Sequence, residues 1–190
     1  MGKKTKAEKP IKLIVFDFDE TIGAFPALSA FIHNLQPYLY NYSLLNQVLR
    51  TNPAYIRPLM IDILAQVNEA KKHYDLKVIL YTNNSNSMWV SMVLYYINNE
   101  LKLTSPLFDH VLDASHHNSY NKNVIDLLKR SNLMQHYDNH RIFFVDDQYH
   151  PGMLQKNVVY FHISPYKEPN QRDVQASHQL YKELRKFINS

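Results

Sequence analysis

The sequence has no cysteine, so it carries no disulfide framework, no thiolate nucleophile and no cysteine-ligated zinc. Glycine is nearly as scarce. Only Gly2, Gly23 and Gly152 occur, none near another, which excludes both the GxGxxG dinucleotide fingerprint and the GxxxxGKS/T phosphate loop. Any phosphate chemistry must therefore use other groups. No apolar stretch approaches the roughly 20 residues that a membrane span needs, and no apolar segment follows the basic start as a secretory signal requires. The expectation is a soluble, intracellular protein of the cytoplasm or nucleus with no membrane partner. An N-myristoylation signal also fails, because Lys6 stands where Ser or Thr is needed.

The 190 residues, 45% of them hydrophobic, suffice for one domain with an ordinary core. The formal net charge of +4 lies wholly at the start: residues 1–12 hold five lysines against Glu8, whereas residues 13–190 hold sixteen basic and sixteen acidic residues. Residues 1–10 read as a basic, solvated tail, and residues 11–190 as a single domain. Nucleic-acid binding has that tail as its only positive support. The 14 tyrosines and 9 phenylalanines fall mostly in apolar runs without interleaved Lys or Arg, which makes them core rather than a platform for bases. The histidines, chiefly His116-His117 and His150, show no HxxxH or HExxH spacing, so a histidine-ligated metal is not expected.

From residue 11 short apolar runs alternate with helical periodicity, the pattern of an α/β fold: a Rossmann-like three-layer α/β/α sandwich on a mainly parallel sheet. Strands are expected at 12–16, 77–81, 141–145 and 158–161, with a weaker one at 110–112; their continuous apolar character suits positions covered on both faces. Met60, Ile63, Leu64, Val67 and Tyr74 share one helical face, as do Trp89, Met92, Val93, Tyr96 and Ile97, and Leu180, Leu184, Phe187 and Ile188 form a last stripe. Arg57-Pro58 reads as a helix start. Residues 24–53, edged by Pro26 and Pro53 and interrupted at Pro37, read as a small helical insertion after the first strand, expected as a mini-cap or flap.

The most informative segment is Val15-Phe16-Asp17-Phe18-Asp19-Glu20-Thr21, where an apolar strand runs into three carboxylates. Residues 17 and 19 of an extended segment share a side, and neighbouring carboxylates raise each other's pKa unless a cation or proton intervenes. Asp146-Asp147 also follows an apolar strand. Parallel strands end at one edge, where ligands bind in open α/β folds, so Asp17, Asp19, Asp146 and Asp147 are candidates for one metal site, with Mg²⁺ the default for an all-oxygen donor set. Thr82 and Asn83 end another strand. Ser85 or Asn86 is expected to cap the next helix, leaving Thr82 and Asn83 for the site. Lys122 sits at a helix start, where its charge opposes the macrodipole and a nearby anion or the acidic cluster gives it a reason; a solvent-facing lysine is the plain alternative.

The order Asp17-Phe18-Asp19-Glu20-Thr21, Thr82, Lys122, Asp146-Asp147 resembles the four motifs of the haloacid dehalogenase (HAD) superfamily. Asp19 is the mark of its phosphatases. Glu20, together with Arg57-Pro58 and the run Tyr120-Asn121-Lys122 followed by Asp126-Leu127-Leu128, is similar to the RNA polymerase II C-terminal-domain phosphatases and the NLI-interacting-factor-like branch. The chain departs from that branch in Gln148-Tyr149-His150-Pro151, where Ser-Pro is usual, and in its helical insertion. The resemblance implies a Mg²⁺-dependent phosphomonoesterase. Asp17 would be the nucleophile and Asp19 the general acid and base. Lys122, Thr82 and backbone N–H groups near Phe18 and Asn83 would hold the phosphoryl oxygens, and Asp17, the Asp19 carbonyl and one or both of Asp146 and Asp147 would hold the metal. A phosphoprotein leads among the substrates this implies. A small molecule or nucleotide, a nucleic-acid 3′ end, and a phosphate-binding module without turnover remain as alternatives.

Overall fold

The computed structural model describes residues 11–36, 41–116, 120–168 and 173–190. The tail at 1–10, Pro37, His117 and Ser119 lie outside the described residues. Five apolar runs form five strands, β1 (Lys12–Phe16), β2 (Leu76–Tyr81), β3 (His110–Leu112), β4 (Arg141–Asp146) and β5 (Val158–His162). All neighbouring pairs are parallel, in the order β3-β2-β1-β4-β5. β1 therefore lies at the centre, in register with β2 (Phe16 opposite Leu80) and with β4 (Phe16 opposite Val145). The sequence pattern suggested coverage on both faces for every run, but β5 is an edge strand and its side chains are half-buried or exposed. Its apolar side chains pack from the edge on both cores, Phe161 on one face and Val158 and Tyr160 on the other.

Alternation along each strand divides the core in two. Ile14, Phe16, Val78, Leu80, Phe143 and Val145 point to one side, where they meet helices α1 (Phe25–Leu35), α2 (Tyr42–Thr51), α3 (Met60–Lys71), α4 (Ser87–Glu100) and α6 (Asp173–Asn189). Leu13, Val15, Ile79, Tyr81, Ile142 and Phe144 point to the other, where α5 (Val124–Arg130) and Met153 cover them. The result is a three-layer α/β/α sandwich with very unequal helical layers. Each fully buried Leu, Ile, Val or Phe contributes about 1.5–3 kcal/mol of burial free energy, and β1 alone supplies Leu13, Ile14, Val15 and Phe16.

The helical stripes are seated as their spacing suggests, with Met60, Ile63, Leu64 and Val67, then Trp89, Val93, Tyr96 and Ile97, then Leu180, Leu184, Phe187 and Ile188 all buried. Tyr74 instead falls beyond α3 and is exposed, while Ala70 closes that stripe. Arg57 does not open a helix either: α3 starts at Met60, and Arg57 is buried. Residues 24–53 do hold two helices. Their apolar residues Phe25, Leu28, Ile32, Leu45, Val48 and Leu49 join the larger core, and Tyr42 packs on Tyr95 of α4. Among the described residues, no helix is long and apolar enough to cross a membrane.

Candidate active site

At the carboxyl edge of the sheet a polar cavity of about 120 Å³ is lined by Asp17, Asp19, Thr82, Asn83, Asn84, Lys122 and Gln148. The ends of β1 and β2, the loop after β4 and the segment before α5 each contribute. None of the described residues of the 24–53 insertion lines it. Those helices belong to the layer on one face of the sheet, because their apolar stripes are satisfied by α4 and the core.

Asp17 follows directly on β1, with its N–H donating to Val145 O at 2.9 Å, and it is buried. Lys122 lies just ahead of Asn123, which caps α5 by accepting from Asp126 N. The plain reading of Lys122 as solvent-facing is overturned, for it is 1% exposed. Its ammonium donates to Asp17 Oδ1 at 2.5 Å and Asp146 Oδ2 at 2.7 Å, above the rings of Tyr81 and Phe144, whose centroids lie 5.7 and 5.9 Å away. Carboxylates on two sides and aromatic faces below fix the cation.

Asp19 is held through one oxygen, since Asn84 Nδ2 donates to its Oδ2 at 2.8 Å, and Asp19 Oδ1 is buried without a hydrogen-bond partner. Asn84 is itself oriented by accepting from Asn86 N at 2.8 Å, and Asn86 caps α4 by accepting from Trp89 N, the role expected for it. Thr82 Oγ1 accepts from Asn84 N at 3.1 Å, and Asn83 Nδ2 donates to Tyr120 O at 3.0 Å. Phe18 turns its ring into the core against Phe25, centroids 4.4 Å apart, so only its backbone can face the cavity.

Glu20 takes a left-handed conformation with φ 58°, which an L residue adopts at a cost of about 1–2 kcal/mol. Hydrogen bonds hold it there: Glu20 N donates to Gly23 O at 2.8 Å, while its carbonyl accepts from Tyr166 N at 2.8 Å and from Arg57 Nη2 at 2.5 Å. Arg57 also donates to Thr21 O and Ser164 O, and its guanidinium covers the Tyr166 ring. The buried arginine thus ties the acidic loop to the segment after β5.

Asp17, Asp146 and Asp147 each offer an oxygen within 4.8 Å of the others. A family model described as NLI interacting factor-like phosphatase matches residues 12–190. The chain belongs to this family. It is thereby a phosphatase of the HAD type. Among solved structures it is similar to the HAD domain of the effector protein Lem4 from Legionella pneumophila, at 13% identity over 93% of this chain and 94% of that one, with a TM-score of 0.48. It is also similar to a haloacid dehalogenase-like family hydrolase from Xanthomonas campestris, at 11% identity over 94% and 97% of the two chains, with a TM-score of 0.36. No curated protein matches.

The electrostatics of this NLI interacting factor-like phosphatase follow from burying four carboxylates beside one lysine. Burial pushes Asp17 up to about 6, with the charges of Asp146 and Asp19 adding to it and Lys122 opposing. Asp19 is also pushed up to about 6, chiefly by burial and against the Asn84 hydrogen bond. Asp147 reaches about 6 through burial and the charges of Asp17 and Asp146. Asp146 goes the other way: burial alone would raise it, but hydrogen bonding and charge from His150 and Lys122 hold it low. For Lys122 the two carboxylates outweigh burial and hold the ammonium above its usual value.

The oxygens present fit a hard divalent cation. Three carboxylates converge, two of them are pushed toward protonation by burial first and by the charge of neighbouring carboxylates second, and among the described residues no histidine joins the group. The two members of the pair after β4 also differ in what holds them. Asp146 Oδ1 accepts from Gln148 N at 2.8 Å and Oδ2 accepts from Lys122, whereas Asp147 is tied through Oδ1 to Thr21 Oγ1 at 3.2 Å.

Sequence reasoning missed Thr21, Arg57 and Asn84 as parts of this arrangement. Thr21 and Arg57 stand in the motifs that carry the resemblance, but their bonds to Asp147 and Ser164, across 126 and 107 residues of chain, leave no local sign of what they hold. Asn84 carried a signal, since it stands in the polar run after β2.

Proposed function

We propose that the protein is a Mg²⁺-dependent phosphomonoesterase that works through an aspartyl-phosphate on Asp17 and acts on phosphoserine or phosphothreonine in a protein. The observation that carries the chemistry is the pairing of Asp17 with a buried Lys122 in the lining of a polar cavity that also holds Asp19 with one oxygen unpartnered.

Asp17 attacks phosphorus and the ester oxygen leaves, so one difficult hydrolysis becomes two displacements. The leaving oxygen takes a proton from Asp19, whose raised pKa keeps part of it protonated near neutrality; Asp19 then accepts a proton from the water that cleaves the aspartyl-phosphate. Lys122 neutralises an equatorial oxygen, and Thr82 with the backbone at Phe18 and Asn83 supplies further donors. Asp17, Asp147 and the Asp19 carbonyl would hold the cation, with Asp146 engaged by Lys122 and Gln148. Bound there, Mg²⁺ supplies Lewis-acid stabilisation of negative charge on the transferring group.

The macromolecular substrate is supported by access. The described residues of the 24–53 insertion are packed on one face of the sheet and none of them lines the cavity, which Asn83, Asn84 and the exposed Gln148 border. An extended phosphorylated segment can enter such a mouth without a lid having to open. The test is hydrolysis of an aryl phosphate, then of phosphopeptides beside nucleotides and sugar phosphates. Activity is expected to vanish with chelator and in Asp17→Asn, and phosphopeptides are expected to give the highest kcat/KM. Turnover by Asp17→Asn would overturn the nucleophile, and a preference for nucleotides or sugar phosphates would overturn the substrate class.

A further inference from the structure

Lys122 belongs to no helix or strand, yet its ammonium is among the most confined groups in the molecule. Asp17 and Asp146 are fixed by the sheet; Lys122 needs a seat of its own. The turn after β4 supplies one. Its buried His150 ring reaches the lysine backbone, Nδ1 accepting from Lys122 N at 3.3 Å. Because Nδ1 accepts, the neutral ring carries its proton on Nε2, and Nε2 lies 3.3 Å from Asp146 Oδ2, the oxygen that also receives the Lys122 ammonium. One ring therefore touches both ends of the lysine's surroundings, the backbone that carries it and the carboxylate that receives it.

Two further contacts fix the ring. His150 N donates to Tyr160 Oη on β5 at 3.2 Å, and the same hydroxyl donates to Gln148 O, which closes the turn against the edge strand. The ring packs edge-on to Phe144, centroids 6.2 Å apart. Gly152 presses on the same backbone from the same turn. A Cβ there would stand 2.7 Å from Lys122 O and 2.6 Å from Asn123 Cβ, closer than real contacts allow, so glycine is needed for the approach. His150 and Gly152 both act on residues 122 and 123, two positions lying close to thirty residues earlier in the chain.

We propose that the turn from Gln148 to Met153 is the seat of Lys122 and that His150 is its positioning residue, holding the lysine backbone through Nδ1 while Nε2 stands 3.3 Å from the receiving carboxylate, off the line of a hydrogen bond. The inference rests on the reading of Lys122 as the group that neutralises the phosphoryl oxygens. It assigns the departure from Ser-Pro at Gln148-Tyr149-His150-Pro151 a definite task, and it leaves His150 without a contact to substrate.

The test uses the full chain with His150 replaced by Asn, Gln and Leu, and separately Gly152→Ala. Asn places an acceptor near Nδ1, Gln places a donor near Nε2, and Leu keeps bulk with neither. Two readouts are taken beside thermal unfolding: kcat and KM on an aryl phosphate, and the rate at which an amine-reactive reagent labels Lys122, followed by peptide mass. Wild-type Lys122 is expected to label slowly because it is buried. His150→Leu is expected to lower kcat by about 10- to 100-fold, the usual scale for a group that orients another, and to speed Lys122 labelling by about tenfold. His150→Asn is expected to keep both nearer wild type than His150→Gln does, because the backbone contact matters more than the off-line approach to Asp146. Gly152→Ala is expected to speed labelling in the same direction as His150→Leu. A folded His150→Leu with wild-type kcat and labelling overturns the proposal; if it does not fold, equal labelling in the Asn and Gln variants overturns it. Labelling reports the seat whether or not the enzyme turns over the chosen ester, so failure of the phosphatase reading would appear as absent activity with Lys122 still released by His150→Leu.

Discussion

The two edges of the sheet handle charge in opposite ways. At the amino edge, Asp109 accepts from Val78 N at 2.8 Å and meets Lys71 at 3.0 Å and Lys77 at 3.9 Å, so one half-buried carboxylate has two cations and a backbone donor. Lys12 there caps a helix, donating to Ile188 O. At the carboxyl edge, Asp17, Asp19, Asp146 and Asp147 stand together, and one buried ammonium pairs with only two of them, Asp17 and Asp146. Charge at the amino edge is used up in holding strands and helices together. At the carboxyl edge it is left in surplus, and that surplus is what a cation and a phosphoryl group can answer.

Lysine substitution should separate the edges most strongly. Lys122→Met is expected to lower kcat/KM on an aryl phosphate by about 10²–10³, the scale for losing one donor to developing charge, whereas Lys71→Met is expected to leave kcat/KM within about twofold, since surface pairs are worth little even to stability. Equal losses would erase the contrast. Removing a carboxylate should give opposite signs of stability in chelated protein: Asp109→Asn is expected to cost about 0.5–1 kcal/mol in denaturant unfolding, while Asp147→Asn is expected to raise the melting temperature, because it keeps the acceptor for Thr21 and removes a crowded charge.

A pH series on chelated protein sharpens the same point. Asp17, Asp19 and Asp147 are each raised to about 6 in the folded chain, above the unfolded carboxylate value of about 4. The folded state then binds more protons between those values, so stability is expected to fall as pH rises through that window and to stay low above it. Mg²⁺ should flatten the fall by answering the same charge, and a melting temperature that rises from pH 5 to 7 without metal would contradict the surplus. An effect as small as that of Asp109→Asn is expected at Glu20. Replacing this left-handed residue by glycine relieves about 1–2 kcal/mol of strain and costs part of that in chain entropy, so Glu20→Gly is expected to stabilise by about 0.5–1 kcal/mol, read from the shift in denaturant midpoint.

Much of this was legible in the residues themselves. The central strand β1 is buried on both faces and reads as an apolar run expected at its observed bounds, and the short edge strand β3, with one buried residue of three, was expected only weakly yet at its observed bounds too. The carboxylates follow those runs directly, and a parallel sheet brings strand ends together whatever the loops do. What was not legible depends on contacts made across the chain. Arg57 looked like a helix start because nothing local shows that its guanidinium meets carbonyls of Glu20 and Ser164. Tyr74 fitted a stripe whose helix ends before it. Residues 24–53 displayed their helices plainly but not their placement, since an amphipathic stripe says that a face is covered without saying by what. His150 was not expected to hold a metal, and nothing local shows that its ring meets the Lys122 backbone.

The bond from Lys12 to Ile188, spanning 176 positions at 2.6 Å, has a consequence for how the chain may be rearranged. The first strand and the last helix meet at the edge opposite the cavity, so the elements from β1 to α6 form a nearly closed ring with its seam away from the chemistry. Linking the start of β1 to the end of α6 and reopening the ring in the exposed stretch at 104–106 would alter the order of synthesis while keeping every strand neighbour. The active constellation is in this sense a property of the cyclic order of elements, indifferent to where reading begins.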